Sequence, residues 1–589
     1  MSLHIQDIIH KLEEGPWARY IIWLLATGSA LAVALLFDFL AYRSFSNVES
    51  MDAAQLARNI AQGRGYTTYV IRPFSVFLLR QHQAGARMDL RDPQPDLTNP
   101  PVYPCLLAGL MKIAPMRYSV AGVTFSRYTP ELIIMAMNQI LFLVVGFLVF
   151  KWAQRLFDRA VAWVSIMVLF GSGLLWKFTV SGLSTIVLLF IFMLLAWCLA
   201  ILEKAGREEQ PPKKWRIPLA ALVGVIMGVG TLTRYSFGWL LIPVLFFLAV
   251  FCGRQRVYTT LAAMTAFGIV LAPWMARNYS LTGKPFGTAP FSVMATTHHF
   301  PADTLERSLR PDLSQPTLTH YLRKFSTNMK TIVQNDLPKF GGSWVSAFFL
   351  AGLIVPFNNL TLGRFRFFLL LCLLVLIVAQ AFGQTHLAGE VPDVNSENLL
   401  VILAPLVFIY GVSFYFVLLE QITIPFPQLR YSVTGIFVAV LSLPLVLTLL
   451  PPKPPMHAYP PYWPPIIQDI SGWMKGKEMM MSDIPWGIAW YGQRPCIWLT
   501  ASYKPDFYEI NDFLSPISAW YVTRRTIDKS FYSEWIKGAD NGWEKNFLLQ
   551  TLTRREVPTE FPLRVTPGNL WPEQLYLTDS PRRYMRPGL

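Results

Sequence analysis

A long series of apolar runs limits what this chain can fold into. Each run is near the ~20 residues that a helix needs to cross a bilayer. They lie at about 19–41, 131–150, 160–176, 182–202, 217–234, 236–252, 258–275, 342–359, 366–383, 398–419 and 431–451, about eleven in all. Composition agrees: 53% of the 589 residues are hydrophobic and 15% charged, which is the profile of a polytopic membrane protein rather than a soluble one. The run 100–116 is interrupted by prolines and reads as interfacial or re-entrant. Nothing resembling a signal-peptidase site precedes residue 42, so the first apolar segment is expected to remain as an anchor.

Lys and Arg give the orientation. With the N-terminus in the cytoplasm, one side collects Lys151, Arg155 and Arg159, then Lys204, Arg207, Lys213, Lys214 and Arg216, then Arg254 and Arg256, then Arg364 and Arg366. Every short basic loop thus falls inside. The formal charge of +15 fits cytoplasmic loops and anionic lipid or phosphate partners. No nucleic-acid motif accompanies the scattered basic residues. The outer side then holds the loops 42–130, 276–341 and 384–397 and the tail from about 452. So much mass on one side places the function there. A carrier would need ionisable groups through the midplane, and the apolar runs hold almost none.

The helical domain is expected over 1–451, a proline-rich linker over 452–465 and an extracytoplasmic α/β domain over 466–589. The prolines of Pro451–Pro465 make a stiff, extended connector. Beyond it, Ile466–Met474 reads as a helix and Glu478–Ser482, Cys496–Leu499 and Ala519–Thr523 as strands, with a turn or helix at Trp486–Tyr491. Five cysteines form no motif; Cys105 and Cys496 share the outer side, and the sequence leaves open whether they pair.

Between the first two runs lies Asn47–Tyr66. Ser50 reads as a helix cap, with Asp52 in the first turn where a carboxylate is favoured. Ala53, Leu56, Ala57, Ile60 and Ala61 form an amphipathic stripe, and Gly63 and Gly65 end it. The segment is expected to lie on the membrane surface. Asp52 is then either a base at the interface or only a capping acid. Asn99-Pro-Pro-Val-Tyr-Pro104 opens the next apolar segment with a fixed, extended approach. Arg234, in Leu-Thr-Arg-Tyr, ends a span and suits either bidentate phosphate binding or interfacial anchoring. Ala272-Pro-Trp-Met-Ala-Arg-Asn-Tyr-Ser-Leu-Thr-Gly-Lys-Pro285 puts Arg277 and Asn278 at headgroup depth beside the belt residues Trp274 and Tyr279. His298, His299, His386, Glu390, Asp393 and Glu397 are outer-side groups able to bind a divalent ion, without the spacing of a defined ligand set.

The order of these features resembles the GT-C superfamily of integral-membrane glycosyltransferases, in the branch of protein O-mannosyltransferases and the lipid A aminoarabinose transferase. The order runs from a span to an outer acid on an Ala-rich helix ending Gly-x-Gly-Tyr. Pro-Pro-x-Tyr-Pro, Leu-Thr-Arg-Tyr and Pro-Trp-x-x-Arg-Asn-Tyr-x-x-x-Gly-x-Pro follow, and the α/β tail carries Ser482-Asp-Ile-Pro-Trp-Gly-Ile-Ala-Trp-Tyr491. The resemblance spans essentially the whole chain. It implies a sugar donor on a polyprenyl phosphate, an acceptor (lipid, glycan or protein) outside the cytoplasm, an inverting transfer and a bacterial inner-membrane location. By it, Asp52 takes the place of the first-loop catalytic acid, as base or electrostatic partner. Arg58, Arg234 and Arg277 would meet the departing phosphate, and Asn99, Tyr103, Asn278 and Glu397 would contact substrate. No cofactor is implied. Three positions depart from the family: Asp52-Ala53 replaces Asp-Glu, Asn99 replaces Lys, and Ser396-Glu-Asn398 replaces a motif with Arg-Tyr. They leave room for a non-catalytic scaffold with the same fold. The helix itself sets a condition: six residues rotate Arg58 by about 240° from Asp52, so the two share a site only if the helix begins after Asp52.

Overall fold

The computed structural model describes residues 16–42, 44–83, 88–120, 125, 127–207, 214–340, 344–354, 360–391, 394–422, 426–451, 459, 461–527, 542–554, 556–567 and 574–581. Most of the linker, at 452–458 and 460, and Asp393 lie outside them.

Among the described residues, eight helices are long and apolar enough to cross a membrane. A ninth span results if Arg159–Phe170 and Gly173–Val180, bent by 55° at a short break, count as one. The protein is a multi-pass integral membrane protein. The hydropathy count was higher for identifiable reasons. The run at 236–252 is a 3₁₀ turn, Tyr235–Leu240, leading into the short helix Leu241–Phe251. The run at 342–359 contributes only Val345–Gly352, its flanks lying outside the described residues. Within the bundle, Arg216–Thr233 and Arg256–Thr282 approach most closely at glycine: a Cβ on Gly224 would lie 2.0 Å from the carbonyl oxygen of Ala263, and Gly228 faces Val270 one turn on. Small residues four apart allow such backbone contact, which drives association where lipid removes the hydrophobic incentive.

The site is held by the segments between the first spans. The first span α1 (Pro16–Leu40) leads to α2 (Val48–Ala61), α3 (Pro73–His82), α4 (Val102–Ile113) and the next span α5 (Thr129–Leu156). The helix α2 begins earlier than Ser50: Asn47 holds the extended N-cap position, and the Ser50 hydroxyl donates to the Asn47 carbonyl (2.8 Å) from inside the first turn. Positive φ at Gly63 (76°) and Gly65 (72°) turns the chain out of the helix. Nor does α2 lie on a surface. It packs on α4 and on the tail segment 485–492, so its polar residues Ser50, Asp52, Gln55, Arg58 and Asn59 are all buried. Such groups are buried only when paired.

Strands β1 (Thr67–Thr68) and β3 (Gln94–Pro95) form an antiparallel pair. Strand β2 (Val70–Ile71) instead joins β4 (Met479–Ser482), β5 (Cys496–Trp498), β6 (Ile517–Val522) and β7 (Leu575–Thr578) in one sheet of order β2-β5-β4-β6-β7. The first four are parallel, with Val70 opposite Cys496 and Ile71 opposite Ile497; β7 is antiparallel to β6. The tail elements agree with their sequence reading to within a few residues. A strand from the first loop in the same sheet was not foreseen. Cys496 is buried in β5 and Cys105 is exposed on α4, and both are free thiols.

Candidate active site

Asp52 is 1% exposed and is held by three donors. Arg72 Nη2 lies 2.7 Å from Oδ2, Asn99 Nδ2 donates to the same oxygen (2.8 Å), and Gln55 Nε2 donates to Oδ1 (3.2 Å). Asp52 is therefore no helix cap. Each donor is placed by a local reason. Gln55 sits three residues along α2, on the same face, and is itself fixed by Thr68 (2.7 Å) and the Tyr69 amide (3.2 Å). Arg72 is the residue after β2 and precedes Pro73, which starts α3 at its first position. Asn99 stands before two prolines, which hold its backbone extended.

The second carboxylate is Asp96, also 1% exposed, which no motif had singled out. Its Oδ1 accepts the amides of Thr98 (3.0 Å) and Asn99 (2.7 Å), and its Oδ2 accepts Asn99 Nδ2 (3.1 Å). One carboxamide thus bridges two acids. Burial, then the charge of Asp52, pushes the Asp96 carboxyl up to about 6, against the pull of Arg72 and Asn99. Arg277 closes the far side. Its Nη1 donates to the Asp96 carbonyl (2.7 Å) and to Asn278 Oδ1 (2.8 Å), and its guanidinium lies over the rings of Tyr66 (5.1 Å) and Trp274 (4.7 Å). Asn278 is buried and spans to the Pro285 carbonyl (3.4 Å). A small pocket beside this cluster is lined by Thr68, Arg72, Ser75, Gln94, Asp96 and Thr98 among others.

The other expected site residues lie elsewhere. Arg58 points away from Asp52, because α2 begins before Asp52 and carries the rotation through. Its guanidinium donates to the carbonyls of Ala489 (2.6 Å) and Trp490 (2.7 Å) between the rings of Tyr118 and Trp490. Tyr103 donates to the Gly182 carbonyl (2.6 Å). Arg234 donates to the Ser396 carbonyl and faces Glu49, three residues before Asp52 on α2, across 3.4 Å. Glu397 accepts from the amide (2.7 Å) and hydroxyl (2.8 Å) of Thr385. The histidine and acid group does not converge: His386 pairs with Glu390 (3.4 Å), Glu390 with Arg525, and His298 stacks on His320. Among the described residues, no three His, Cys, Asp or Glu side chains meet as a metal site.

Glu131, in the first turn of α5, is fully buried and also escaped the sequence reading. It accepts from the Phe45 amide (3.1 Å), Trp490 Nε1 (3.1 Å) and the hydroxyls of Tyr491 (2.6 Å) and Tyr42 (3.4 Å). One carboxylate thus ties the entry to α2, a span and the tail together. A further intramembrane acid, Asp38, pairs with Gln139 (2.6 Å). The spans are less empty of charge than hydropathy suggested, yet both acids serve helix contacts.

The helical bundle, with its mixed sheet packed over the segment that holds the two carboxylates, has the fold of several solved membrane proteins. ArnT from Cupriavidus metallidurans bound to undecaprenyl phosphate superposes with a TM-score of 0.53 at 10% identity, over 96% of this chain and 99% of that one. The apo form of ArnT gives 0.51 at 10% identity, over 97% and 100%. The Archaeoglobus fulgidus oligosaccharyltransferase gives 0.52 at 10% identity, over 87% of this chain and 70% of that one. The family model described as dolichyl-phosphate-mannose-protein mannosyltransferase matches residues 99–276, from Asn99 to the residue before Arg277. No curated protein matches the sequence.

Proposed function

We propose that the protein transfers a sugar from a polyprenyl-phosphate donor to a hydroxyl of an extracytoplasmic acceptor, in a bacterial inner membrane with the N-terminus inside. The observation that carries this reading is the pair of buried carboxylates, Asp52 and Asp96, bridged by Asn99 and flanked by Arg72 and Arg277. Burying two acids within one amide of each other costs stability even with partners, and groups perturbed in this way cluster at functional sites. The ligand in the ArnT structure, undecaprenyl phosphate, has the chemistry of the proposed leaving group.

In the transfer, the acceptor oxygen bonds to the anomeric carbon as the bond to the phosphate breaks, and the phosphate leaves with the electron pair. Arg277 is the cation placed to meet that charge: aromatic faces hold its guanidinium, and its named bonds leave N–H donors for an anion. Arg58 and Arg234 are engaged elsewhere. The carboxylates serve the hydroxyl and the cationic character at the anomeric carbon. The positive-inside pattern supports the orientation.

The experiment is transfer of radiolabel from a mixed pool of polyprenyl-phosphate sugars in membranes, comparing native protein with Asp52→Asn. Loss of transfer with folding retained supports the reading. Equal transfer removes Asp52 from the mechanism. Binding of polyprenyl phosphate without transfer in either protein favours a scaffold.

A further inference from the structure

The two carboxylates are not equivalent. Asp52 is held in an ion pair: its Oδ2 meets Arg72 and Asn99, and its Oδ1 accepts one bond from Gln55 (3.2 Å). Asp52 does not line the pocket, whereas Asp96 and Arg72 do. Arg72 Nε makes no hydrogen bond there and meets Glu306 only across 3.4 Å. Asp96 Oδ2 accepts one bond, from Asn99 (3.1 Å), and so keeps a lone pair, as Asp52 Oδ1 does, but on the carboxylate that lines the pocket. The groups facing Asp96 are Asp52 from α2, Arg72 from the end of β2, Tyr66 from the loop after α2, and Tyr235 and Arg277 from the bundle. No lysine or histidine is among them.

Resting on the function proposed above, we infer that Asp96 is the catalytic base, taking the proton of the acceptor hydroxyl, while Asp52 is the fixed charge that positions Arg72 and Asn99. The O–H proton passes to Asp96 Oδ2 as the oxygen bonds to the anomeric carbon, and the phosphate departs with the electrons of the broken bond. Asp96 then releases its proton to water once the product has left. The raised affinity of Asp96 for a proton suits this task better than an ordinary carboxylate would, because a base works best when its pKa lies near the working pH. Asn99 is a positioning residue: its amide keeps the two acids in register without adding the charge of a lysine, which would draw the proton off Asp96.

The test uses full-length protein in membranes, the same radiolabelled pool of polyprenyl-phosphate sugars, and two classes of acceptor. One is the native hydroxyl acceptor of the membrane. The other is azide ion, which attacks without losing a proton and so needs no base. Asp96→Asn should cut transfer to hydroxyl by about 10²–10⁴-fold while azide transfer stays within a few-fold of wild type. Retained azide transfer also shows that the variant is folded. Asp52→Asn should lose both reactions. In wild type, hydroxyl transfer should fall as pH drops through about 6, and Asp96→Glu should keep activity with that limb displaced. Equal loss of both reactions in Asp96→Asn, or an unchanged pH profile, overturns the assignment. Wild-type protein that transfers sugar to neither acceptor refutes the enzyme itself, and the assignment with it.

Discussion

Replacing Arg72 with alanine tests the centre of the site most directly. The guanidinium and the Asp52 carboxylate touch at 2.7 Å with side chains 7% and 1% exposed, so solvent screens the pair very little. Removing one partner of such a pair costs ~3–5 kcal/mol, because the other charge stays buried without compensation. Asn99 and Gln55 continue to donate to Asp52, which places the cost near the lower figure, about 3 kcal/mol. At ~2.1 cal/mol/K per residue, over 589 residues, that corresponds to a Tm lower by roughly 2–3 °C if the chain melts as one unit. The absolute shift is less informative than the cycle. Asp52→Asn removes the charge that Arg72→Ala leaves stranded, so the double variant should melt above Arg72→Ala alone. Thermal melts of the detergent-solubilised single and double variants, followed by fluorescence-detected size exclusion, supply the four values. If the two single losses simply add, Arg72 and Asp52 are not coupled and the site drawn around them is wrong.

Four other substitutions separate the parts of the structure. Glu131→Ala strands the donors of Tyr491, Trp490 and Phe45 at ~1–3 kcal/mol each, and should make the tail far more sensitive to added protease than Glu131→Gln does. Arg58→Ala should lower stability through the orphaned carbonyls of Ala489 and Trp490 yet leave the KM for donor unchanged; a raised KM would return Arg58 to the phosphate site. Lys324 donates to the carbonyls of Ser292 (2.8 Å), Val293 (3.3 Å) and Ala295 (2.6 Å), so Lys324→Met should speed amide exchange across 292–300, and unchanged exchange would dismiss that cage. Asp96 has a folded pKa of about 6 against an ordinary 3.8, so the folded state binds the extra proton between those values and stability falls as pH rises through about 6. Asp96→Asn should therefore remove a term of about 3 kcal/mol, and its melting temperature relative to wild type should be higher at pH 7.5 than at pH 4.5; the reverse order would contradict the burial of that charge.

Apolar periodicity made the membrane class, the tail's strands and the bounds of most helices legible, because burial repeats along a helix or strand. Of the site residues, Asp52, Asn99, Arg277 and Asn278 do gather: Asn99 and the Arg277–Asn278 pair sit where a helix meets a proline- or glycine-marked turn, and Asp52 lies near the start of α2, the helix that follows the first span. Arg72 was invisible because β2 is two residues long and its meaning depends on a partner strand more than four hundred residues away. Asp96 lies among prolines, and nothing local says that Asn99 reaches back to it. Glu131 could have been found: an acid in the first turn of an apolar span is costly unless paired. Arg58 was misplaced for a geometric reason visible beforehand, the roughly 240° of helix between it and Asp52. A cap at Ser50 already puts Asp52 inside the helix, as the observed cap at Asn47 does, so the rotation tells against Arg58 in either case.

The sheet gives the tail a part in the candidate site. In parallel α/β sheets, ligands collect at the carboxyl ends of the strands. Here those ends are Arg72 after β2, Asp483 after β4, Thr500 after β5 and Thr523 after β6. Asp483 accepts from the amide and hydroxyl of Thr523 and the hydroxyl of Thr526, and Arg307 donates to the carbonyls of Leu499 (2.6 Å) and Thr500 (3.1 Å). Those three ends are thus occupied with holding the sheet and its neighbours. The fourth belongs to the first loop and delivers a guanidinium to Asp52. Two residues of strand cannot hold that position alone, since an isolated pair of short strands is marginal in water. The tail supplies the template, and through Glu131 and Arg58 it is bolted to α5 and to α2, the helix that carries Asp52. The geometry around Asp52 is therefore a product of the whole chain, and on the proposed function truncating the tail should abolish transfer even though every proposed reacting group lies before residue 278.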